Sequence, residues 1–419
     1  MSKFYITTSI AYVNAPPHIG HAFELVQADV LARRRRLKGD DVFFLTGTDE
    51  HGAKIAKTAE VAGITPKDLT DKNSAKFREL AKVLDISNDD FIRTTDKERH
   101  FPAAQKLWQK LVAAGDIYKK KYQGLYCVGC EAFITQKDLI DGKCAIHLKE
   151  PETVEEENYF FKLSKYSEKI GELIKSDKLR IVPVGRKNEI LSLISEGLED
   201  VSFSRPAKDL PWGIPVPGDE AQTMYVWCDA LVNYISVVGY GDGGERFEKY
   251  WPADIHCIGK DILRFHAAIW PGMLLSAGLS LPKTIFVHGF ITSGGHKMSK
   301  SLGNVVDPFE IIGKYGVDSL RYFLLREIPP ADDGDFTIER FEMRHNADLA
   351  NGLGNLFARS LALILGTNIR SAAADENFKK ETAAVWKKYE KSLDEFKFNE
   401  ALEAVWGLIA FCDGYINET

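Results

Sequence analysis

Two short motifs in the sequence combine residue types that bind phosphate groups. The first is Pro17-His18-Ile19-Gly20-His21, which follows a predicted strand and opens a predicted helix. Two imidazoles three residues apart at a helix N-terminus can both face an anion held by the positive end of the helix dipole. Gly20 has no side chain that would block close approach. Taken alone, so short a string is equally typical of an ordinary helix-start turn.

The second motif is the glycine-rich loop Gly294–Asn304, which carries Lys297 and Lys300 three residues apart. Such a loop can close over phosphates and stabilise the charge that develops on a leaving group. A lysine-containing loop is more often simply solvated. A His-Ile-Gly-His turn after the first strand, combined with Lys-Met-Ser-Lys-Ser after a late strand, is far more specific than either motif alone.

A third group of residues has metal-ligand spacing. Cys127-Val128-Gly129-Cys130 is followed by Cys144-Ala145-Ile146-His147. Two such pairs match a tetrahedral zinc site, and four protein ligands with no vacancy indicate a structural metal. A redox pair at Cys127 and Cys130, or a knuckle that has lost its metal, are the alternatives. The remaining cysteines are predicted to be small buried apolar groups: Cys228, Cys257 and Cys412.

The elements that must position these motifs alternate between strand and helix. A strand at Phe4–Ile10, a helix at His21–Lys38, a strand at Asp41–Gly47 and a helix at Lys54–Ala62 predict a doubly wound parallel sheet of the Rossmann type. Ligands of such sheets bind at the carboxyl ends of the strands. The histidine turn follows one such end.

Composition bounds the class of protein. The chain has 419 residues, 45% hydrophobic and 27% charged, with a formal net charge of −6. These values exclude wholesale disorder, and no apolar run reaches the roughly 18 residues that span a bilayer. With no secretory signal in Met1–Tyr12 and only six cysteines, we expect a cytoplasmic protein with no membrane partner. The acidic balance argues against indiscriminate nucleic-acid binding, although a local basic groove stays possible.

Over nearly its whole length the chain resembles the class I aminoacyl-tRNA synthetases, and most closely the methionyl-tRNA synthetase family. The resemblance rests on these segments: Val13-Asn14, Pro17–Ala22, Thr46–Gly52, Tyr225–Ala230, Gly259–Asp261, Phe265-His266 with Trp270-Pro271, and Lys297–Pro308. Ser9, Ala11 and Ala145 depart from the family pattern, which has Pro, Tyr and Pro at the matching positions. None of the three removes a group that the chemistry needs.

The resemblance implies an enzyme that activates L-methionine with ATP to methionyl-adenylate. The methionyl group then passes to the terminal ribose of tRNA(Met), and pyrophosphate and AMP are released. Positioning and charge stabilisation dominate such chemistry. The implied cofactors are ATP, Mg²⁺ and a structural Zn²⁺.

The resemblance also assigns roles to residues. The catalytic residues would be His18, His21, Lys297 and Lys300. The ATP-binding residues would be these four together with Gly20, Gly259, Asp261 and His288. Asp49 would bind the methionine ammonium group, and an apolar slot would hold the side chain. The slot residues are Ile10, Tyr12, Trp227, Ala230, Tyr234, Ile262, His266 and Trp270. Aromatic and aliphatic groups suit a polarizable thioether, although each apolar residue judged alone is more typical of a core.

The resemblance further implies a domain order. Residues 1–115 and 225–290 would form the two halves of the catalytic domain, split by a connective zinc-knuckle insertion at 116–224. The glycine-rich loop Gly294–Asn304, hereafter the signature loop, and the stem-contact region would occupy 291–345. An incomplete all-α anticodon-binding bundle would occupy 346–419. Asn355 and Arg359 would contact the anticodon. Further helices follow in the family, so we expect a C-terminally truncated chain that is a monomer.

Two other functions compete with this interpretation. A class I synthetase for another amino acid would usually carry a long editing insertion, for which Gly115–Thr223 is too short. A non-catalytic RNA-binding or scaffold protein would be expected to lack at least one of His18, His21, Lys297 and Lys300, and the sequence contains all four.

Overall fold

The computed structural model describes residues 2–129, 132–134, 136, 139–146, 148–298, 303–366 and 375–418. The chain forms two compact units. The first comprises Met1–Pro17, Ala32–Ala81 and Ser87–Val287, and the second comprises His18–Leu31, Lys82–Ile86 and His288–Thr419.

The elements are as follows. The described strands are β1 (Lys3–Tyr12), β2 (Asp41–Asp49), β3 (Asp90–Arg93), β4 (Ile117–Cys127), β5 (Ala132–Ile134), β6 (Leu139–Ile140), β7 (Lys143–Cys144), β8 (Glu152–Phe161), β9 (Arg180–Val182), β10 (Val201–Ser202), β11 (Ser204–Pro206), β12 (Pro215–Val216), β13 (Asp219–Met224), β14 (Ile255–Gly259), β15 (Thr284–His288), β16 (Ile291–Ser293), β17 (His296–Lys297) and β18 (Gly334–Phe336). The described α-helices are α1 (Ile19–Leu37), α2 (Ala53–Val61), α3 (Pro66–Val83), α4 (His100–Ala113), α5 (Ser167–Lys175), α6 (Val184–Ser195), α7 (Val226–Ala230), α8 (Asn233–Ser236), α9 (Glu245–Tyr250), α10 (Trp270–Ser276), α11 (Pro308–Tyr315), α12 (Val317–Arg326), α13 (Ile338–Arg344), α14 (Asn355–Gly366), α15 (Glu376–Asp394) and α16 (Phe398–Glu418). Two π-helical segments, Phe265–Ile269 and His345–Gly354, precede α10 and α14.

The central sheet of the first unit has the strand order β3-β2-β1-β14-β15-β9. The pairs β3–β2, β2–β1, β1–β14 and β15–β9 are parallel. The sequence of these strands is rich in β-branched and aromatic residues, which suit a sheet buried on both faces. Its core includes Tyr5, Phe43, Trp108 and Trp270, each 2% exposed or less. The predicted α/β fold is thereby confirmed.

The chain between the two halves of this sheet forms smaller antiparallel sheets. One has the order β10-β8-β4-β5 and another the order β11-β13-β12. The acidic run Glu155–Glu157 lies in β8, opposite the lysine-bearing part of β4, and Lys121 pairs in register with Glu157. Opposite charges across an antiparallel pair stabilise its register.

From Ile338 onward every described element is helical, which confirms the predicted all-α end of the chain. Within the second unit, Glu327 accepts hydrogen bonds from Arg340 and Arg344, and Tyr322 donates to Asp348 at 2.7 Å. These bonds tie α12 to α13 and to the π-helical segment that follows. None of the described helices is both long and apolar enough to cross a membrane.

Candidate functional site

The carboxyl ends of β1 and β2 place Tyr12 beside Asp49. The two residues pair in the parallel register, as do Ile10 and Gly47. A Cβ atom at Gly47 would lie 2.2 Å from the Ile92 carbonyl oxygen, so only glycine allows β3 to approach this closely. Asp49 is 5% exposed at the last position of its strand. The sheet therefore presents a buried carboxylate where ligands of parallel sheets bind.

The residue after Asp49 is fixed by a dense set of hydrogen bonds. The buried Glu50 carboxylate accepts from Arg93 Nε at 2.7 Å and Nη2 at 2.9 Å, and from the Thr48 and Thr95 hydroxyls. Bidentate contact with a guanidinium group gives both strength and a defined direction. Asp49 therefore precedes a rigidly held loop.

Tyr234 and His266 form a hydrogen-bonded pair in the buried part of the first unit. His266 Nδ1 lies 3.0 Å from the Ile262 carbonyl oxygen, and a carbonyl only accepts, so Nδ1 carries a proton. In the neutral ring, Nε2 then accepts from the Tyr234 hydroxyl at 2.7 Å. The Tyr5 hydroxyl donates to the Tyr234 carbonyl at 2.7 Å, which fixes the tyrosine backbone. The three predicted methionine-site residues Tyr234, Ile262 and His266 are thus brought together.

Aromatic rings flank this pair. Trp270 lies 6.1 Å from the Tyr234 ring, and Trp227 stacks on Phe265 with 3.5 Å between ring centroids. Ile10 and Ile262 pack against the same core cluster that contains Tyr234 and Trp270. Ala230 is buried at the end of α7. Tyr12 packs in a separate cluster with Val13 and Phe91, so its ring does not share the core cluster of Tyr234.

Two predicted ATP-binding residues of the first unit lie at the end of β14. Gly259 is its last residue, and Asp261 lies in the short 3₁₀ turn Lys260–Ile262 that follows. Asp261 is exposed, whereas Gly259 is buried. Both therefore stand at the carboxyl end of a central strand.

In the second unit, the backbone fixes the protonation of His18 and His21. The His18 amide donates to His21 Nδ1, and the Gly20 amide donates to His18 Nδ1, each at 3.1 Å. Because both Nδ1 atoms accept, each neutral ring carries its proton on Nε2. The rings lie 4.0 Å apart. A Cβ atom at Gly20 would lie 2.9 Å from the His18 ring, which explains the glycine.

Burial keeps both imidazoles neutral. It lowers the pKa of His18 to about 4. Burial, and then the neighbouring His18, lower the pKa of His21 well below its ordinary value. The pair therefore offers N–H donors rather than positive charges at physiological pH.

His288 is also held in the second unit. Its Nε2 atom lies 2.8 Å from the Glu24 carboxylate, and its Nδ1 atom lies 2.8 Å from the Gly289 carbonyl. Its ring meets Phe23 edge-on at 5.5 Å. His288 and the first turns of α1 are therefore tied together within this unit.

The signature loop begins with a β-hairpin. Strands β16 and β17 pair antiparallel, with Gly294 and Gly295 at positive φ in the turn. Lys297 is exposed on β17 and lies over the Phe290 ring at 5.8 Å. The Asp335 carboxylate accepts from the Gly295 amide at 2.8 Å and from the Thr292 hydroxyl at 2.7 Å. Lys300 lies outside the described residues.

Two of the four predicted zinc ligands fall on described residues. Cys127 ends β4 and Cys144 lies on β7. Both are 3% exposed or less and pack in one cluster with Ile134. Cys130 and His147 lie outside the described part of the chain. Two buried thiols brought together in a small cluster fit the donor chemistry of a structural zinc site.

The two predicted anticodon residues lie on α14. Asn355 is exposed at its first position. Arg359 Nη1 donates to Asp413 on α16 at 2.6 Å. The arginine therefore has an ion-pair partner within the chain, which the sequence analysis did not predict.

Sequence reasoning missed several polar groups that organise the structure. Asp229 lies between the rings of His51 and His100, and Asp335 anchors the signature hairpin. His51 and Asp229 lie within the motifs Thr46–Gly52 and Tyr225–Ala230, two residues after Asp49 and Trp227. That position could have identified them. His100 and Asp335 stand in no motif, and only the fold brings them into place.

Comparisons with known proteins agree with this architecture. The family described as tRNA synthetases class I (M) matches residues 4–138 and 130–361. The methionine–tRNA ligase of Brucella suis biovar 1 (strain 1330) is 49% identical over 99% of this chain and 82% of its own length. That of Thermotoga maritima is 45% identical over 100% of this chain and 68% of its own length.

The solved structures agree as well. The Mycobacterium tuberculosis methionyl-tRNA synthetase in complex with methionyl-adenylate is 43% identical, with a TM-score of 0.95 over 100% of this chain and 84% of that one. The fold and site define a class I aminoacyl-tRNA synthetase. Within that class, the chain belongs to the methionine-type family, the methionine–tRNA ligases.

Proposed function

We propose that this chain activates L-methionine with ATP to methionyl-adenylate and then transfers the methionyl group to the terminal ribose of tRNA(Met). The methionine carboxylate attacks the α-phosphorus of ATP, and the bond from that phosphorus to the bridging oxygen breaks to release pyrophosphate. The ribose hydroxyl then displaces AMP. The observation that carries the proposal is the likeness, at 43% identity and a TM-score of 0.95 over the whole chain, to a synthetase solved with methionyl-adenylate.

The histidine pair would bind the phosphate oxygens of ATP. His18 and His21 carry their protons on Nε2 and are kept neutral by burial. Neutral N–H donors can stabilise the charge that develops on the α-phosphate oxygens during the reaction. They bind the unreacted ATP less tightly than a positive charge would, which favours turnover. Lys297 and Lys300 would stabilise the leaving pyrophosphate, and Gly20, Gly259, Asp261 and His288 would complete the nucleotide contacts.

The methionine ammonium group would bind Asp49, and the thioether would lie among the apolar residues. Tyr234, with its hydroxyl hydrogen engaged by His266, presents an oxygen lone pair and a ring face. Trp227 and Trp270 offer aromatic surfaces that suit a polarizable sulfur. Ile10, Tyr12, Ala230 and Ile262 would form the rest of the slot.

Two metals accompany the proposed activity. Zn²⁺ would be held by Cys127, Cys130, Cys144 and His147, and it would stabilise the fold of the insertion. Mg²⁺ would neutralise charge on the ATP phosphates, which are its usual ligands at such sites. Asn355 and Arg359 would contact the anticodon of tRNA(Met).

The test is amino-acid-dependent ATP–pyrophosphate exchange, measured with each of the twenty amino acids and no tRNA. Exchange with methionine alone is the expected result. Exchange with a different amino acid would keep the reaction class and overturn the slot. No exchange from folded protein would favour a non-catalytic RNA-binding role.

A further inference from the structure

A buried carboxylate in the first unit lies between two buried imidazoles. Asp229 Oδ2 is 2.5 Å from His51 Nδ1, and Asp229 Oδ1 is 2.6 Å from His100 Nε2. All three side chains are 1% exposed or less. No lysine or arginine within the described residues bonds to Asp229. A buried carboxylate needs hydrogen-bond donors, and the two histidine rings supply them.

Both ring nitrogens of His100 are held by polar partners. Its Nε2 atom donates to Asp229, since a carboxylate only accepts. Its Nδ1 atom lies 3.1 Å from the Ser236 hydroxyl, which also lies 3.2 Å from the Asn233 carbonyl oxygen. The His100 ring is therefore fixed between α7 and α8.

Asp229 also holds His51. The His51 Nδ1 atom donates to Asp229, whereas its Nε2 atom is buried and makes no hydrogen bond to any described residue. Burial, the largest influence on the pKa of Asp229, raises it, but the two rings outweigh burial and lower that pKa below its ordinary value.

Two neighbours of this cluster within the described residues, Cys228 and Phe101, carry no charge. The Cys228 thiol on α7 has its pKa raised well above the ordinary value by burial and by Asp229, so it stays protonated. The Phe101 ring meets His51 edge-on at 5.9 Å. Ser236 comes from α8 and His100 from the start of α4.

The location of this cluster gives it a role. His51 is two residues after Asp49, and Glu50 between them is held by Arg93. Asp229 stands between Trp227 and Ala230 on α7. One side of the Asp49 loop is therefore anchored to β3 through Glu50, and the other side to α7 through His51.

We propose that the hydrogen-bonded cluster of His51, Asp229 and His100 is a positioning device for the amino-acid substrate. It holds His51, and with it Asp49, at a fixed distance from the helix that carries Trp227 and Ala230. The role rests on the proposed function, because Asp49 and this helix would bind the two ends of methionine. His51, His100 and Asp229 are positioning residues and do not touch substrate in this scheme.

The kinetic test compares His100→Gln and Asp229→Asn with the wild type by ATP–pyrophosphate exchange. His100→Gln removes the ring that donates to one Asp229 oxygen, and Asp229→Asn replaces one of the two accepting oxygens by an amide nitrogen. We expect the KM for methionine to rise about tenfold or more, as displacement of a binding group by a fraction of an ångström does. The KM for ATP should change little.

Asp116→Asn is the matched control. Asp116 is another carboxylate of the same unit, 1% exposed, and it accepts hydrogen bonds from Lys165, Tyr166 and Ser276. It should leave both KM values near those of the wild type. An unchanged KM for methionine in folded His100→Gln and Asp229→Asn would overturn the positioning role. An equal rise in all three variants would do the same, because it would indicate general destabilisation.

Nuclear magnetic resonance of the protein labelled with ¹⁵N-histidine tests the hydrogen bonds of the cluster without any variant having to be active. The ring N–H signals of His51 and His100 should both shift in Asp229→Asn, and neither should shift in Asp116→Asn. Unshifted signals in Asp229→Asn would overturn the cluster. Because this readout does not depend on catalysis, its outcome is separate from failure of the methionine-dependent exchange.

Discussion

At the scale of single residues, the second unit offers neutral imidazoles rather than cations to its proposed anionic ligand. Burial removes the charge from His18 and His21, and backbone amides select the tautomer. Donors of this kind are already oriented, so little reorganisation is needed as charge develops on a phosphoryl group. The positive charge that the reaction needs would then come from the lysines and from the metal that ATP brings.

The lowered pKa of His18 predicts a pH-dependent stability. In the folded protein the ring stays neutral down to about pH 4, whereas in the unfolded chain it binds a proton near its ordinary pKa of 6.5. Between these values the unfolded state binds more protons, so the free energy of unfolding falls as the pH is lowered. Denaturant unfolding from pH 7 to 4 should show a shallower decline in His18→Gln than in the wild type. Equal declines would contradict the assignment.

The proposed contact between Asp49 and the methionine ammonium group predicts that a substitution of Asp49 weakens methionine binding. Asp49→Asn removes the charge that would pair with the methionine ammonium group while keeping the size of the side chain. A hydrogen bond to a charged partner is worth about 1.5–3 kcal/mol, so the KM for methionine should rise by roughly tenfold to a hundredfold. Exchange kinetics at varied methionine give the measurement, with the KM for ATP as the internal reference. A KM for methionine equal to that of the wild type would remove Asp49 from the site.

The sequence predicts a functional residue when its partners stand next to it in the chain. It does not reveal a residue whose partners come together only when the chain folds. His18, Gly20 and His21 are adjacent in the chain, and the glycine is explained by the distance to the His18 ring. His100 acts through Asp229, which lies more than a hundred residues away. No local pattern carries that pairing, because it arises only when α4 packs beside α7 and α8.

At the scale of elements, short hairpins and turns hold the proposed reactive groups. The boundaries of β1, β2, α1 and α2 follow the sequence pattern closely, since alternation of strand and helix is a local signal. The long antiparallel strands β4 and β8 were not predicted, because the charged runs Lys119–Lys121 and Glu155–Glu157 mask the alternation typical of strands. Only Lys121 and Glu157 come to lie opposite one another. The domain boundaries stay a prediction.

The hairpin that leads to the signature lysines predicts a role for Asp335. Asp335→Ala removes the acceptor for the Gly295 amide and the Thr292 hydroxyl, at a cost of about 1 kcal/mol for each bond. We expect the kcat of pyrophosphate exchange to fall about tenfold, because the hairpin that carries Lys297 is no longer held in place. Asp335→Asn keeps an acceptor oxygen and should retain more activity. Equal activity of the wild type and Asp335→Ala would contradict this.

The proposed zinc site predicts that the fold of the insertion at 116–224 depends on the metal. We expect Cys144→Ser to lose zinc. Mutation of a residue that only orients a ligand lowers metal affinity by about 10–100-fold, so loss of a ligand should lower it by at least as much. The substitution should also lower the midpoint of thermal unfolding. Zinc per chain, measured by atomic absorption on the purified protein, is the readout. Cys412→Ser is the control, since Cys412 lies half-buried on α16 and is not one of the four predicted ligands. Unaltered zinc in Cys144→Ser would refute the site.

At the scale of the whole molecule, the proposed reaction has two parts that different ends of the chain would serve. In the proposed function, adenylate formation would need the sheet unit, the histidine turn and the signature loop. Charging of tRNA would also need the C-terminal helices. The chain as a whole carries a net charge of −6, so contact with RNA would depend on individual side chains more than on a general positive field. Variants in α14 should therefore separate the two activities.

Arg359→Ala tests this separation, and the ion pair with Asp413 makes the test sharper. If Arg359 reads the anticodon, the variant should raise the KM for tRNA about tenfold, since one base contact is worth about 1–3 kcal/mol. Pyrophosphate exchange should stay unchanged. Asp413→Asn releases the same guanidinium from its partner on α16 while leaving it in place. Charging should then be kept or improved in Asp413→Asn, whereas loss in both variants would show that the arginine acts only by holding α14 to α16.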